Sequence, residues 1–237
     1  MRICLITSDA DTVSASCVSA TLSLLCGTRV HTGTLDATDV NDKELACFDA
    51  VLITGGEPRR LRDRLGGRGA SAIRAFIASG GGYIGVCAGA VLATRKAPTL
   101  DLLPTVRCVN DNVWWASGLT GTVTLRRPTQ TFSDPVDASL STAFIEVDTH
   151  AYQNGPLLRI KDRSTTAPMA LALFSSDVEP WEPDMDETAP PRGQMEGAVA
   201  VVLGRHGLGR VLITSVHPEF LSDGALLETM CLHVIRE

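Results

Sequence analysis

Three short apolar runs constrain this chain more than any other feature, because each ends in small or polar residues and each leads into a helical pattern. Residues 2–7 (RICLIT) stop at Ser8, Asp9 and Asp11. Residues 50–54 (AVLIT) run into Gly55 and Gly56. Residues 83–87 (YIGVC) follow three glycines at 80–82. Between these runs, residues 12–27 carry Val13, Cys17, Ala20, Leu24 and Leu25 at helical spacing, with Gly27 as a stop. Residues 70–82 place Ala72, Ile73, Phe76 and Ile77 on one helical face. A second strand is predicted at 29–35 (RVHTGTL), and a helix at 88–96 (AGAVLATRK). Strands that are apolar throughout are buried on both faces. Their alternation with helices predicts a parallel sheet covered on both sides, a doubly wound α/β fold. In such folds sites form at the carboxyl ends of the strands.

The remaining chain is β-rich. Residues 105–175 read as short β segments, including 141–156 (STAFIEVDTHAYQNGP), and two β runs flank the glycine-bounded turn GRHGLG at 204–209. Residues 222–237 read as a closing helix capped by Ser222 or Asp223, with Leu226, Leu227, Met230 and Val234 on its apolar face. The acidic, proline-rich stretch 175–194 has no usable period. It is expected to be an exposed, mobile loop, either a disordered insertion or, through Trp181 and Met185, a lid. With no repeat and no linker, residues 1–237 are expected to form one domain.

Charge and cysteine usage exclude several classes. A formal net charge of −6 gives no nucleic-acid footprint, and the run Arg59, Arg60, Arg62, Arg64, Arg68 reads as a solvated loop and helix start. The apolar run at the N-terminus is too short for a signal peptide, and no stretch approaches a membrane span. Seven cysteines at irregular spacing, without C-x-x-C, form neither a disulfide framework nor a metal motif. They suit a reducing, cytoplasmic setting with mostly buried, inert thiols. No metal and no cofactor is expected.

Cys87 differs from the other six. In Gly85-Val86-Cys87-Ala88-Gly89 it sits where a strand turns into a helix, with glycine at both flanks. A strained strand–nucleophile–helix elbow needs such small neighbours. The helix start favours a thiolate, and the Ala88 amide is placed to hold an oxyanion. A base is supplied by His217, in VLITSVHPEF. Pro218 biases it toward an extended backbone, so His217 and Glu219 face one way and the carboxylate orients the imidazole. Gly55 and Gly56 end a neighbouring strand and offer backbone N–H groups to the same oxyanion.

The order Gly-Gly, G-x-C-x-G, H-P-E resembles the class I glutamine amidotransferase-like superfamily. Residues 80–93 together with 151–156 (AYQNGP) most resemble the amidotransferase-like N-terminal domain of eukaryotic-type biotin–protein ligases. The resemblance implies a flavodoxin-like sheet, a Cys87–His217–Glu219 triad, and an oxyanion hole from Gly56 and Ala88. It also implies a substrate-side loop with Gly55, Tyr152, Asn154 and Gly155 near the pocket. Val91 stands where glutaminases of the superfamily often carry a glutamine, and no ligase catalytic half is expected in this chain. The elbow also resembles the intracellular peptidase and Parkinson-protein branch, which implies an acid from the first strand's loop, Asp9 or Asp11, though the H-P-E pair speaks against that branch. The expected activity is cleavage of a small amide through a thioester, with an acceptor protein or ligase as a candidate partner. The alternative is a non-catalytic binding or regulatory module on the same fold.

Overall fold

The protein was analysed as a computed structural model that describes residues 1–8, 12–94, 100–109, 120–161, 167–180, 193–221 and 224–235. The first half alternates as the sequence predicts: β1 (Arg2–Thr7), α1 (Thr12–Leu25), β2 (His31–Asp36), a single turn α2 (Asp42–Leu45), β3 (Ala50–Ile53), α3 (Pro58–Ala78), β4 (Gly82–Val86) and α4 (Ala88–Ala93). The second half contains β5 (Val106–Cys108), β6 (Thr120–Val123), β7 (Leu125–Arg126), α5 (Pro135–Ile145), β8 (His150–Gln153) and β9 (Leu158–Ile160). It continues through β10 (Met169–Phe174), β11 (Glu179–Pro180), β12 (Val199–His206), β13 (Gly209–Thr214) and α6 (Ala225–Val234).

The main sheet runs β2-β1-β3-β4-β13-β12-β10-β7. Its first five strands are parallel, in the 2-1-3-4-5 order of flavodoxin-like sheets, with β13 as the fifth. From β13 onward the neighbours are antiparallel, since the tight turn after β12 returns the chain directly. A separate antiparallel sheet, β11-β6-β8, lies beside it. Every residue of β3, β4 and β13 is buried. Two apolar clusters cover the sheet, one around Ile3, Leu5, Ile84 and Leu227, the other around Ile53, Ile73, Ile77 and Ile213. The fold is therefore flavodoxin-like α/β, with helices on both faces and an added β-rich region. Among the described residues no helix is long and apolar enough to cross a membrane.

Three sequence expectations need correction. The arginine run is not a loop: it forms the first half of α3, where Glu57 caps the helix by accepting from the amides of Arg59 and Arg60. Arg64 pairs with Asp36 at 2.8 Å through both carboxylate oxygens, and the helix breaks only at Gly66 (φ 57°, ψ −172°). Residues 141–145, expected as β, belong to α5, which Asp134 caps on the Val136 amide at 2.8 Å. Within 175–194, Glu179–Pro180 pairs as a strand with β6, and Asp177 accepts from the Met195 amide at 2.8 Å. The cysteines are mostly buried, as expected: Cys4, Cys17, Cys87 and Cys231 are buried, Cys26 and Cys47 are exposed, and all seven are free thiols. The expectations for Asp9, Asp11, Trp181, Met185, Ser222 and Asp223 lie outside the described residues.

Candidate active site

Strands β3, β4 and β13 are adjacent and parallel, so the residues that follow them emerge at one sheet edge. Gly55 and Gly56 follow β3, Cys87 follows β4, and His217 lies three residues past β13. The Cys87 amide donates to Thr214 O at 2.9 Å, and the Gly89 amide to Thr54 O at 3.3 Å, which ties the elbow to both neighbouring strand ends.

Cys87 has φ 50° and ψ −101°, a backbone that costs a non-glycine residue about 1–3 kcal/mol. The flanking glycines are required by space. A Cβ on Gly85 would lie 2.6 Å from the Gly89 backbone, and one on Gly89 would lie 2.2 Å from Ile53 O. Tyr83 fixes the turn from below by donating to Gly89 O at 2.8 Å. The helix behind the thiol, α4, has only six residues, so its dipole is weaker than the sequence reading supposed. The Ala88 amide is its first, without an intrahelical acceptor. The Cys87 side chain is 8% exposed and donates to the Gln153 carbonyl at 3.5 Å.

His217 and Glu219 are both buried, and Nδ1 lies 2.8 Å from Oε1. They meet differently from the expected extended chain: Pro218–Phe220 is one 3-10 turn, and the His217 amide is pinned to Ala151 O at 2.9 Å. With the proton on Nδ1, the bare Nε2 has no hydrogen-bond partner. Burial disfavours the imidazolium. The charge of Glu219 and the neighbouring Cys87 and Cys17 sulfurs favour it, outweigh burial and raise the histidine pKa well above its usual value.

Two contributors escaped sequence reasoning. Cys17 of α1, read as a core residue of a helical stripe, places its sulfur 3.9 Å from His217 Nδ1. Burial raises its pKa, and the Glu219 charge adds to this against a lowering by His217. Phe220, 39% exposed, stacks on the His217 ring at 5.6 Å and 25°. An aromatic two residues beyond H-P is the sequence signal for this stacking. Gly55 is where the ring and the thiol converge: a Cβ there would meet His217 Cε1 at 2.7 Å and Cys17 Sγ at 2.9 Å. Gly56 is half-buried at φ 138°.

The loop after β8 closes the other side. Tyr152 is fully buried and donates to Gly155 O at 2.7 Å, so it shapes this loop instead of offering a free hydroxyl. Asn154 takes a left-handed backbone (φ 51°), and a Cβ on Gly155 would lie 2.1 Å from Ser215 O. The loop is thereby clamped two residues before His217, with its Gln153 carbonyl on the thiol. Val91 lies in α4, one turn past Cys87, and its amide bonds to Cys87 O at 3.1 Å.

Comparison with known proteins bears on this edge. The family model for the N-terminal part of biotin–protein ligase matches residues 11–98. No curated protein matches the sequence. Among solved structures, the cytoplasmic protein STM1381 from Salmonella typhimurium LT2 is 13% identical, with all of both chains covered and a TM-score of 0.55. A ThuA-like protein from Parabacteroides merdae is 11% identical, covering 99% of this chain and 89% of its own, with a TM-score of 0.56. A β-galactosidase from Bacillus circulans sp. alkalophilus is 11% identical with a TM-score of 0.55; 98% of this chain aligns to only 30% of it. At these identities the structures speak for the fold. Over residues 11–98, which hold the glycine pair and the Cys87 elbow, the chain is similar to the N-terminal domain family of biotin–protein ligases.

Proposed function

We propose that the protein is a cysteine-nucleophile amidohydrolase or amidotransferase-like enzyme. The observation that carries this reading is the strained Cys87 elbow at the same sheet edge as the buried His217–Glu219 pair, 2.8 Å apart. In the neutral histidine Glu219 holds the Nδ1 proton and leaves Nε2 as the acceptor, so the base form grows as pH rises through the raised pKa of His217. In the proposed cycle the Cys87 sulfur attacks an amide carbonyl while its proton passes to Nε2. The amides of Gly56 and Ala88 receive the oxyanion. Collapse breaks the C–N bond, His217 returns the proton to the departing amine, and a thioester remains. Water then attacks the thioester with its proton taken by His217, and the acid and the free thiol are released. An acceptor docked beside the site would take the released amine instead.

A second reading is favoured by one contact. The thiol of Cys87 is engaged by the Gln153 carbonyl, while Nε2 of His217 is unpartnered, an arrangement that a non-catalytic binding module would tolerate. Alkylation separates the two. Iodoacetamide labelling, followed peptide by peptide by mass spectrometry, is expected to modify Cys87 faster than the exposed Cys26 and Cys47. His217→Ala should slow Cys87 by about 10²- to 10⁴-fold, the usual contribution of a positioned base. Cys87 labelling no faster than Cys26, or unaffected by His217→Ala, would exclude the enzyme reading. Intact-mass detection of a thioester adduct, across a panel of small amides, then identifies the substrate.

A further inference from the structure

We propose that Cys17, His217 and Glu219 bind one zinc-class divalent ion, and that filling this buried site switches Cys87 chemistry off. The switching half rests on the nucleophile reading above; the binding half stands without it.

The donors are the sulfur of Cys17, Nδ1 of His217 and a carboxylate oxygen of Glu219. One such atom from each lies within 4.8 Å of the other two, and all three residues are buried. The sulfur is 3.9 Å from Nδ1, and Nδ1 is 2.8 Å from Oε1. Bonds of about 2.0–2.3 Å in a tetrahedron set ligand atoms about 3.3–3.6 Å apart, so the sulfur–nitrogen and nitrogen–oxygen pairs are each within roughly half an ångström of that spacing. A thiolate, an imidazole and a carboxylate suit zinc and its neighbours, and not the hard, oxygen-seeking magnesium or calcium. The two anionic donors cancel the charge of the dication, which removes most of the cost of burying it.

An independent observation points to a ligand. Glu219 is 2% exposed, yet its second oxygen, Oε2, has no hydrogen-bond partner among the described residues. A buried carboxylate oxygen left bare is expensive, and a bound cation satisfies it. The glycine at 55 fits the same picture, because any side chain there would collide with both the sulfur and the ring.

Binding exchanges protons without redox change. The Cys17 thiol releases its proton to solvent, the single imidazole proton of His217 moves from Nδ1 to Nε2, and metal–sulfur, metal–nitrogen and metal–oxygen bonds form. A neutral imidazole that ligates through Nδ1 carries its remaining proton on Nε2. That is the atom which must be bare to take the proton of Cys87. The filled site therefore holds the histidine in the tautomer that cannot act as base.

The test uses the full chain, stripped with a chelator and titrated with Co²⁺ alone. Sulfur-to-cobalt charge-transfer absorption should grow to saturation at one ion per chain and vanish on adding Zn²⁺. The band should be lost in Cys17→Ser and kept in Cys87→Ser, with circular dichroism confirming that both are folded. If Cys17→Ser does not fold, Glu219→Gln serves, and a strongly weakened titration is expected. No band in the wild-type chain, or a band lost in Cys87→Ser and kept in Cys17→Ser, overturns the site. In the alkylation assay, Zn²⁺ should slow Cys87 in the wild-type chain and not in Cys17→Ser. Metal binding with Cys87 labelling unchanged overturns the switch alone. A Cys87 that is unreactive in metal-free protein refutes the nucleophile reading, while the cobalt band still decides the site.

Discussion

Replacing Cys87 by glycine and, separately, by alanine divides the strain of the elbow from the chemistry of its thiol. Both variants lose the sulfur, so both should lose all labelling and all thioester formation. They differ in backbone freedom. At φ 50° and ψ −101° a residue with a Cβ carries about 1–3 kcal/mol of strain, which alanine keeps and glycine relieves. Glycine gives back about 0.4–1 kcal/mol through the greater entropy of its unfolded chain. The difference leaves Cys87→Gly more stable than Cys87→Ala by about 1 kcal/mol. In a chain of this size that corresponds to a Tm about 2–4 °C higher. Little else intervenes, since a Cβ on the neighbouring glycines is what the space forbids, not the one already present at 87. Differential scanning calorimetry on the two variants measures the gap directly. A glycine variant that melts at or below the alanine variant would refute the claim that position 87 is strained.

Other expectations follow from individual contacts. Gly89→Ala forces a Cβ to within 2.2 Å of the Ile53 carbonyl; it should destabilise the fold by about 1–3 kcal/mol in denaturant titration and slow Cys87 alkylation. In metal-free protein, the raised pKa of His217 makes the folded chain hold a proton that the unfolded chain releases near pH 6.5. Its contribution is therefore full below pH 6.5 and is lost as pH rises through the folded value, so stability measured in urea should fall over that window. Glu219→Gln should flatten that slope, and an unchanged slope in the variant would refute the assignment. At the opposite end of α6, buried Arg210 and His233 converge on buried Asp137. Asp137→Asn leaves the guanidinium unpaired and should cost about 3–5 kcal/mol, while the double change Asp137→Leu with Arg210→Met should recover most of it. Failure of the double variant to recover would locate the loss in packing around His233.

The central strands of the parallel half were legible because they obey one rule. All residues of β3 and β4 are buried, so hydropathy alone marks them, and glycines mark where they end. The helix α5 was not legible, for a physical reason. Its buried positions are Asp137, Leu140, Ser141 and Phe144, a proper helical stripe in which half the members are polar. Ser141 is buried because its hydroxyl donates to Leu171 O at 2.6 Å, and Asp137 because Arg210 reaches it. Hydropathy cannot find a stripe whose polar members are satisfied only by residues 30 and 73 positions away. The start of α3 was read only in part, because its apolar buried line of Leu61, Leu65, Gly69 and Ala72 lies beneath an arginine-rich outer face.

The site divides along similar lines. Cys87 and His217 could be read because each sits in a motif whose local chain geometry requires small or rigid neighbours: glycines around the elbow, proline after the histidine. Cys17 carries no such mark. It occupies an apolar position of a helical stripe, and its meaning comes wholly from what α1 is packed against, a turn 200 residues later. Gly55 is the residue that links the two kinds of information. In sequence it looks like any glycine ending a strand, and its φ lies outside the left-handed region that would require glycine. What requires glycine is the joint approach of the His217 ring and the Cys17 sulfur to the space a side chain would fill. Gly55→Ala should therefore act on both partners at once. Its methyl must push the ring or the sulfur outward, which lengthens the Nδ1–Oε1 contact or opens the Cys17 contact. Cys87 alkylation reports the first displacement and the cobalt titration the second. A Gly55→Ala variant that is folded and alters neither readout would show that the crowding at this strand end is incidental to the site.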